Sequence, residues 1–210
     1  MNRTRQMSEH ASTGGSARPS PEDGMLRAAF REVHGQRLHG FALLVTLGDE
    51  RTAGVLAAAA LADGARRADS LRHPDRGAAW LRAHVVRNLP RSARRREPVP
   101  APQGRAVLAH LGVDDAGFAA LRELGPSERA ALVAGWIEKL DPRDLETVLG
   151  VGPAAVLRRL RSSRQRYLEA YLRGAPESTS VAADARRTGP IADRIRAVGE
   201  RTFALPRRPA

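Results

Sequence analysis

The residues whose types and spacing indicate a chemistry lie in a predicted helix that begins at Pro153. Arg158, Arg161 and Gln165 recur at helical spacing on one side of it. Arginine binds phosphate through paired hydrogen bonds and can bind guanine in the same way. The opposite side of the helix carries a mostly apolar stripe formed by Val156, Leu160, Ser163 and Tyr167. The pattern predicts a helix that packs by one face and presents arginines to nucleic acid by the other.

The residues before this helix predict an earlier helix and a tight turn that position it. Asp141 is placed to cap the earlier helix, and Pro142 suits its first position. Residues 150–152, Gly-Val-Gly, break that helix, and Pro153 starts the next. Helices joined by a glycine turn in this way are typical of a helix-turn-helix reader of DNA. A solvated helix face without a ligand is the alternative interpretation of the arginines.

The composition predicts an all-α fold. Hydrophobic residues make up 42% of the 210 residues but aromatic residues only 4%, so the cores must be built mainly from Ala, Leu and Val. The net charge of +12 comes almost entirely from arginine, since Lys139 is the only lysine. A GC-rich genome explains the ratio of arginine to lysine. It does not explain the excess of positive charge, which favours nucleic acid as a partner.

The residue types and runs that are missing disfavour several classes of function. The sequence contains no cysteine, so neither a disulfide framework nor a thiolate metal site is expected. No apolar run is long enough for a membrane span, and the N-terminus lacks a signal-peptide core, so we expect a cytoplasmic protein without a membrane partner. The histidines lack metal-ligand spacing, and no serine has the partners of a nucleophile. We therefore expect no enzyme activity, no catalytic residue, no metal and no cofactor.

Changes of composition divide the chain into two predicted helical domains with irregular segments around them. Breaks between helices are expected at Gly48-Asp49 and at residues 73–75 of the first domain. The third helix should reach about residue 96 unless Pro90 kinks it or ends it earlier. Prolines at alternate positions predict an extended, semi-stiff linker. The predicted segments are a disordered arm at 1–23, a three-helix domain at 24–97, the linker at 98–106, a helix-turn-helix domain at 107–173 and a tail that can hold one short helix at 174–210.

Several short motifs occur in an order and spacing that match one protein family. In the first domain they are Leu-Gly-Asp at residues 47–49, Pro-Asp-Arg-Gly-Ala-Ala-Trp-Leu at 74–81, Arg-Asn-Leu at 87–89 and a basic run at 94–96. In the second domain they are Leu-Gly-Pro-Ser-Glu-Arg at 124–129 and the helix-turn-helix at 140–168. Over residues 26–96 and 118–171 the chain resembles bacterial RNA polymerase sigma factors of the sigma-70 family, in the extracytoplasmic-function group.

The resemblance implies that the first domain binds the polymerase and opens the promoter near its −10 region, while the second domain binds the −35 element. The DNA-binding residues implied for the second domain are Ala154, Leu157, Arg158, Arg161, Ser162 and Gln165. Those implied for the first domain lie on or just after its third helix and are Arg82, Arg87, Asn88 and Arg91, with Arg94, Arg95 and Arg96 on the DNA backbone.

A departure from the family lies in the second helix of the first domain. The family usually carries Asp-Leu-Val-Gln-Glu where it binds the polymerase, whereas the matching positions here, Val55, Leu56, Ala58 and Ala59 among them, have no polar side chain. This alanine-rich helix can pack inside the domain or against a partner. Three functions follow: a sigma factor that directs core polymerase to promoter DNA, a sigma-derived DNA-binding regulator, or a protein–protein adaptor for another transcription protein or an anti-sigma factor.

Overall fold

The computed structural model describes residues 21–67, 71, 74–90 and 101–174, and all regular structure within them is helical. These residues form eight α-helices and one π-helical turn and no β-strand, so the prediction of an all-α fold is confirmed. The elements are α1 at Pro21–Thr46, α2 at Glu50–Arg66, α3 at Pro74–Arg87, α4 at Ala101–His110, α5 at Asp115–Glu123, α6 at Pro126–Leu132, the π-helical turn at Val133–Ile137, α7 at Pro142–Leu149 and α8 at Pro153–Gly174.

The corner between α1 and α2 lies where the sequence predicts a break. Leu47 and Gly48 have positive φ angles of 58° and 80°, a region that glycine adopts readily. Asp49 then caps α2, because its carboxylate accepts hydrogen bonds from the Thr52 N–H at 2.9 Å and from the Thr52 hydroxyl at 2.6 Å. The corner turns the chain back so that α2 packs along α1.

Several predicted boundaries in the first part of the chain are wrong. α1 begins at Pro21, inside the predicted arm, and α3 begins at Pro74, where the sequence predicts a turn. Both helices use proline in the first turn, where its missing N–H breaks no hydrogen bond. α3 ends at Arg87, which agrees with the alternative of an early end at Pro90, because proline disfavours a helical conformation at the residue before it.

Residues 1–20, 91–100 and 175–210 lie outside the described residues. They include most of the predicted arm, the first part of the predicted linker and nearly all of the predicted tail.

The linker prediction is wrong for residues 101–106, which form the first part of α4. Pro102 falls in the first turn of this helix, so it does not interrupt the hydrogen bonds. Gly104 then lies against the corner between α1 and α2, where a Cβ added to Gly48 would come within 2.5 Å of the Gly104 carbonyl oxygen. α4 is therefore packed against the first helices and does not act as an extended spacer.

The two halves of the described structure, residues 21–90 and 101–174, pack on each other. α1 contacts α6 and the π-helical turn, and α3 lies against α7. Buried side chains from both halves belong to one hydrophobic cluster, which includes Phe41 and Leu81 in the first half and Leu124 and Val148 in the second. The prediction of two separate domains joined only by a linker is therefore not confirmed.

Candidate nucleic-acid interface

The turn between α7 and α8 has the local geometry that the sequence predicts. The Asp141 carboxylate caps α7 by accepting a hydrogen bond from the Arg143 N–H at 2.9 Å. Gly150 ends α7 in the left-handed conformation, with φ of 63°, and its N–H donates to the Glu146 carbonyl at 2.8 Å. α8 begins at Pro153. The two predicted helices and the glycine turn between them are therefore present.

The two faces of α8 differ in burial as the sequence predicts. Val156, Ser163 and Tyr167 are buried, and Leu160 is partly buried against the same core. Burial raises the pKa of the Tyr167 hydroxyl, so this group stays neutral in the core. The residues predicted to bind DNA all lie on the exposed side of the helix and are Ala154, Leu157, Arg158, Arg161, Ser162 and Gln165.

The arginines in the second part of α8 are held by neighbouring groups. Arg166 donates to the Glu128 carboxylate at 2.6 Å, and Arg173 donates to Glu123 at 2.6 Å. The guanidinium group of Arg164 lies over the Trp136 ring, 3.9 Å from its centroid. Trp136 is partly buried against the hydrophobic core, and its ring also supports this arginine. These side chains attach α8 to the rest of the second half.

The arginines in the first part of α8 differ from these in having no such contact. Arg158 and Arg161 are exposed, and neither has an ion-pair partner among the described residues. Gln165, one turn after Arg161, donates to the Glu169 carboxylate at 2.9 Å on the surface of the helix. The outer face of α8, which we define as Ala154, Leu157, Arg158, Arg161, Ser162 and Gln165, therefore presents positive charge that the described structure does not neutralise.

The described structure includes only some of the DNA-binding residues predicted for the first half. Arg87 and Asn88 are exposed at the end of α3, where the Asn88 amide donates to the His84 carbonyl at 2.9 Å. The remaining predicted positions, Arg91, Arg94, Arg95 and Arg96, lie outside the described residues.

The prediction that Arg82 faces DNA is wrong. This residue is only 4% exposed. Its Nε and Nη2 atoms donate to the carboxylate of Glu138, the residue directly after the π-helical turn. Its Nη1 atom also donates to the Ala78 carbonyl at 2.8 Å. The physical reason lies in its spacing, since Arg82 falls midway between Ala79 and Val85 on the buried stripe of α3. Arg82 therefore connects the two halves.

The predicted polymerase-binding residues on α2 differ in burial: most are exposed, but one is buried. Val55 is 64% exposed, and Ala58 and Ala59 are exposed beside it. Leu56 is only 5% exposed and belongs to the hydrophobic core, so its prediction as a contact residue is wrong. The alanine-rich helix therefore packs internally by one face and leaves a small apolar face uncovered by the described residues.

A second buried arginine, Arg129, was not among the predicted site residues. Its Nε donates to the Val45 carbonyl at 2.8 Å, and its Nη1 donates to the Leu124 carbonyl at 2.6 Å. Burial lowers the pKa of the guanidinium group to about 10, because the charged form loses hydration. The available signal was helical spacing, since Leu132 and Val133 follow it on the buried side of the same turn.

Comparisons with known proteins give no further assignment: no family model, no curated protein and no solved structure matches this chain.

Within residues 21–67, 71, 74–90 and 101–174, none of the helices has the length and hydropathy needed to cross a membrane. The same residues contain no cluster of three or more His, Cys, Asp or Glu side chains that could hold a metal ion.

Proposed function

We propose that this protein is a DNA-binding transcription factor of the sigma type, which places α8 in the major groove of duplex DNA. The observation that carries the proposal is the outer face of α8. There Arg158 and Arg161 are exposed without an anionic partner among the described residues, and both lie in the helix that follows the glycine turn. A helix of this kind fits the major groove, and arginine can bind both phosphate and guanine there.

The electrostatics of the chain support an anionic partner. The formal net charge is +12, and the first part of α8 adds exposed arginines with no balancing carboxylate among the described residues. Each phosphate contact made by such a side chain releases counterions from DNA, so binding should weaken steeply as salt is added. The rigid attachment of α8 through Val156 and Tyr167 would keep the arginines in one register on the groove.

The role in transcription initiation rests on the sigma resemblance, which gives the first half a polymerase-binding function. In that role the exposed apolar face of α2, with Val55, Ala58 and Ala59, contacts the core polymerase. Arg87 and Asn88 at the end of α3 remain available to promoter DNA. The protein would act in the cytoplasm as a subunit that brings polymerase to a promoter.

A second candidate function is a DNA-binding regulator that no longer joins the polymerase. Two observations favour it. The exposed face of α2 has no polar side chain at Val55, Ala58 or Ala59, and Arg82 is bound to Glu138 instead of being free for DNA. Co-purification with core polymerase followed by run-off transcription separates the two candidates. If the protein does not associate with core polymerase at micromolar concentrations, the sigma-factor function is excluded and the regulator function remains.

DNA binding itself is tested with duplexes enriched from random sequence and with fluorescence anisotropy at several salt concentrations. Arg158→Ala and Arg161→Ala should each weaken binding at least about fivefold if the side chain reads guanine. Each should also reduce the slope of log affinity against log salt by about one unit if it contacts phosphate. Arg173→Ala is the matched control, because this arginine lies on the same helix but is paired with Glu123.

A negative result in both DNA-binding measurements would contradict the proposal. If no sequence is enriched, and if Arg158→Ala and Arg161→Ala leave the salt slope unchanged, the outer face of α8 does not bind DNA. The adaptor function, which needs no duplex, would then be the remaining interpretation.

A further inference from the structure

Leu157 is an exposed aliphatic side chain in the middle of the arginine-bearing face. It is 55% exposed, and its neighbours on the same side of α8 include Ala154 one turn before it and Arg161 one turn after it. Arg158 follows it directly. A single exposed leucine is ordinary on a protein surface. This leucine differs from such residues because Ala154 and Leu157 form a short apolar surface directly before Arg158 and Arg161, which have no anionic partners among the described residues.

The surroundings of Leu157 fit DNA better than a protein partner. Leu157 and Ala154 together form too small an apolar surface for a protein interface, and the nearby charges of Arg158 and Arg161 favour a polyanion. The major groove offers an apolar group of matching size, since thymine carries a C5-methyl group on its exposed edge. None of the other bases carries a methyl group at that edge.

We propose that Leu157 is a specificity-determining residue that contacts the C5-methyl group of a thymine beside the positions contacted by Arg158 and Arg161. This inference rests on the proposed function. It adds that the bound DNA sequence contains an invariant thymine. Leu157 contacts the methyl group of that thymine and makes no hydrogen bond to the base. The arginines supply affinity, and Leu157 distinguishes thymine from cytosine.

The test uses the full-length protein and the duplex enriched from random sequence. Each thymine is replaced in turn by deoxyuridine, which removes the methyl group and leaves base pairing unchanged. One such replacement should weaken binding about fourfold, the effect of leaving one methyl group out of an apolar contact. In Leu157→Ala that same replacement should have little further effect, whereas replacements at other positions should behave as in the wild type.

Leu172→Ala is the matched control, because Leu172 is also an exposed leucine on α8, at 42%, but lies near its end. This variant should keep the full sensitivity to deoxyuridine. Circular dichroism should show the helix content of both variants unchanged, since each removes a side chain from the surface.

The outcomes separate this inference from the proposed function. If the wild type binds an enriched duplex but tolerates every deoxyuridine replacement, Leu157 does not contact a thymine methyl group, although DNA binding stands. The inference is equally overturned if the enriched sequence has no invariant thymine, or if Leu157→Ala keeps the wild-type sensitivity. If no duplex is enriched at all, the proposed function fails and the inference fails with it.

Discussion

The interface between the two halves and the outer face of α8 use the same residue type in opposite ways. In the interface, Arg82 and Arg129 are buried and donate to acceptors that come partly from the other half, Glu138 for the first and Val45 for the second. On the outer face of α8, Arg158 and Arg161 are exposed and have no ion-pair partner among the described residues. The first pair of arginines is held by contacts within the fold, and the second pair is not.

The difference shows that the spacing of an arginine from neighbouring apolar residues on its helix decides whether its guanidinium group is buried or exposed. Arg82 lies on the same stripe of α3 as Ala79 and Val85, so packing that stripe carries the guanidinium group into the interface. Arg158 lies away from Val156 and its stripe on α8, so packing that helix leaves the arginine outside. The number of arginines in a helix is therefore a poor indicator of a DNA-binding surface.

The largest effect on folding should come from Arg129. Arg129→Met removes the donors to the Val45 and Leu124 carbonyls, which lie near helix ends in the core. Each buried carbonyl left unpaired costs about 1–3 kcal/mol, so the loss of both hydrogen bonds should lower the free energy of unfolding by about 2–6 kcal/mol. Urea denaturation followed by circular dichroism measures this value. Arg129→Lys should recover only part of the loss, because one ammonium group cannot replace a planar donor that reaches both carbonyls.

A loss below about 1 kcal/mol in Arg129→Met would show that Arg129 contributes no more than a surface arginine, since a typical surface substitution has an effect of that size or smaller. The buried arginine would then be replaceable by apolar packing, and the interface would not depend on its hydrogen bonds.

A smaller effect should come from the pair of Arg82 and Glu138. Glu138 is less deeply buried than Arg82, so water can still reach its carboxylate. Arg82→Met should therefore lower the free energy of unfolding by about 2–3 kcal/mol, somewhat less than the loss typical of a fully buried pair. In the double variant Arg82→Met, Glu138→Leu, no unpaired charge remains. We expect it to be more stable than Arg82→Met alone, and a double-mutant cycle measures the coupling.

If the two substitutions instead have additive effects, the ion pair contributes no coupling between the halves. The packing of α3 against α7 would then hold the interface without it.

The sequence predicted the elements that local signals define. The cap at Asp141, the end of α7 at Gly150, the start of α8 at Pro153 and the exposed face of that helix were all predicted, because each depends on residues within a few positions. The exposed positions of the candidate site, Arg158 and Arg161 among them, were predictable for the same reason.

The features that were not predicted depend on distant parts of the chain. Arg129 and Val45 are 84 positions apart, so no local pattern indicates their hydrogen bond. The first part of α4, residues 101–106, was missed because a proline in the first turn of a helix and a proline in an extended linker give the same local sequence signal. Its place in the fold depends on the close approach of Gly104 to Gly48, another contact between remote residues.

The smallest effect on folding should come from the outer face of α8. Arg158→Ala and Arg161→Ala remove exposed side chains without ion-pair partners among the described residues, and alanine is at least as good a helix former as arginine. Each variant should keep the free energy of unfolding within about 0.5 kcal/mol of the wild type. The same urea experiments measure it. A loss above about 1 kcal/mol in either variant would mean that the arginine supports the fold, and reduced DNA binding by that variant could no longer be attributed to a missing contact. Stability retained together with binding lost is the combination that assigns these arginines to the partner.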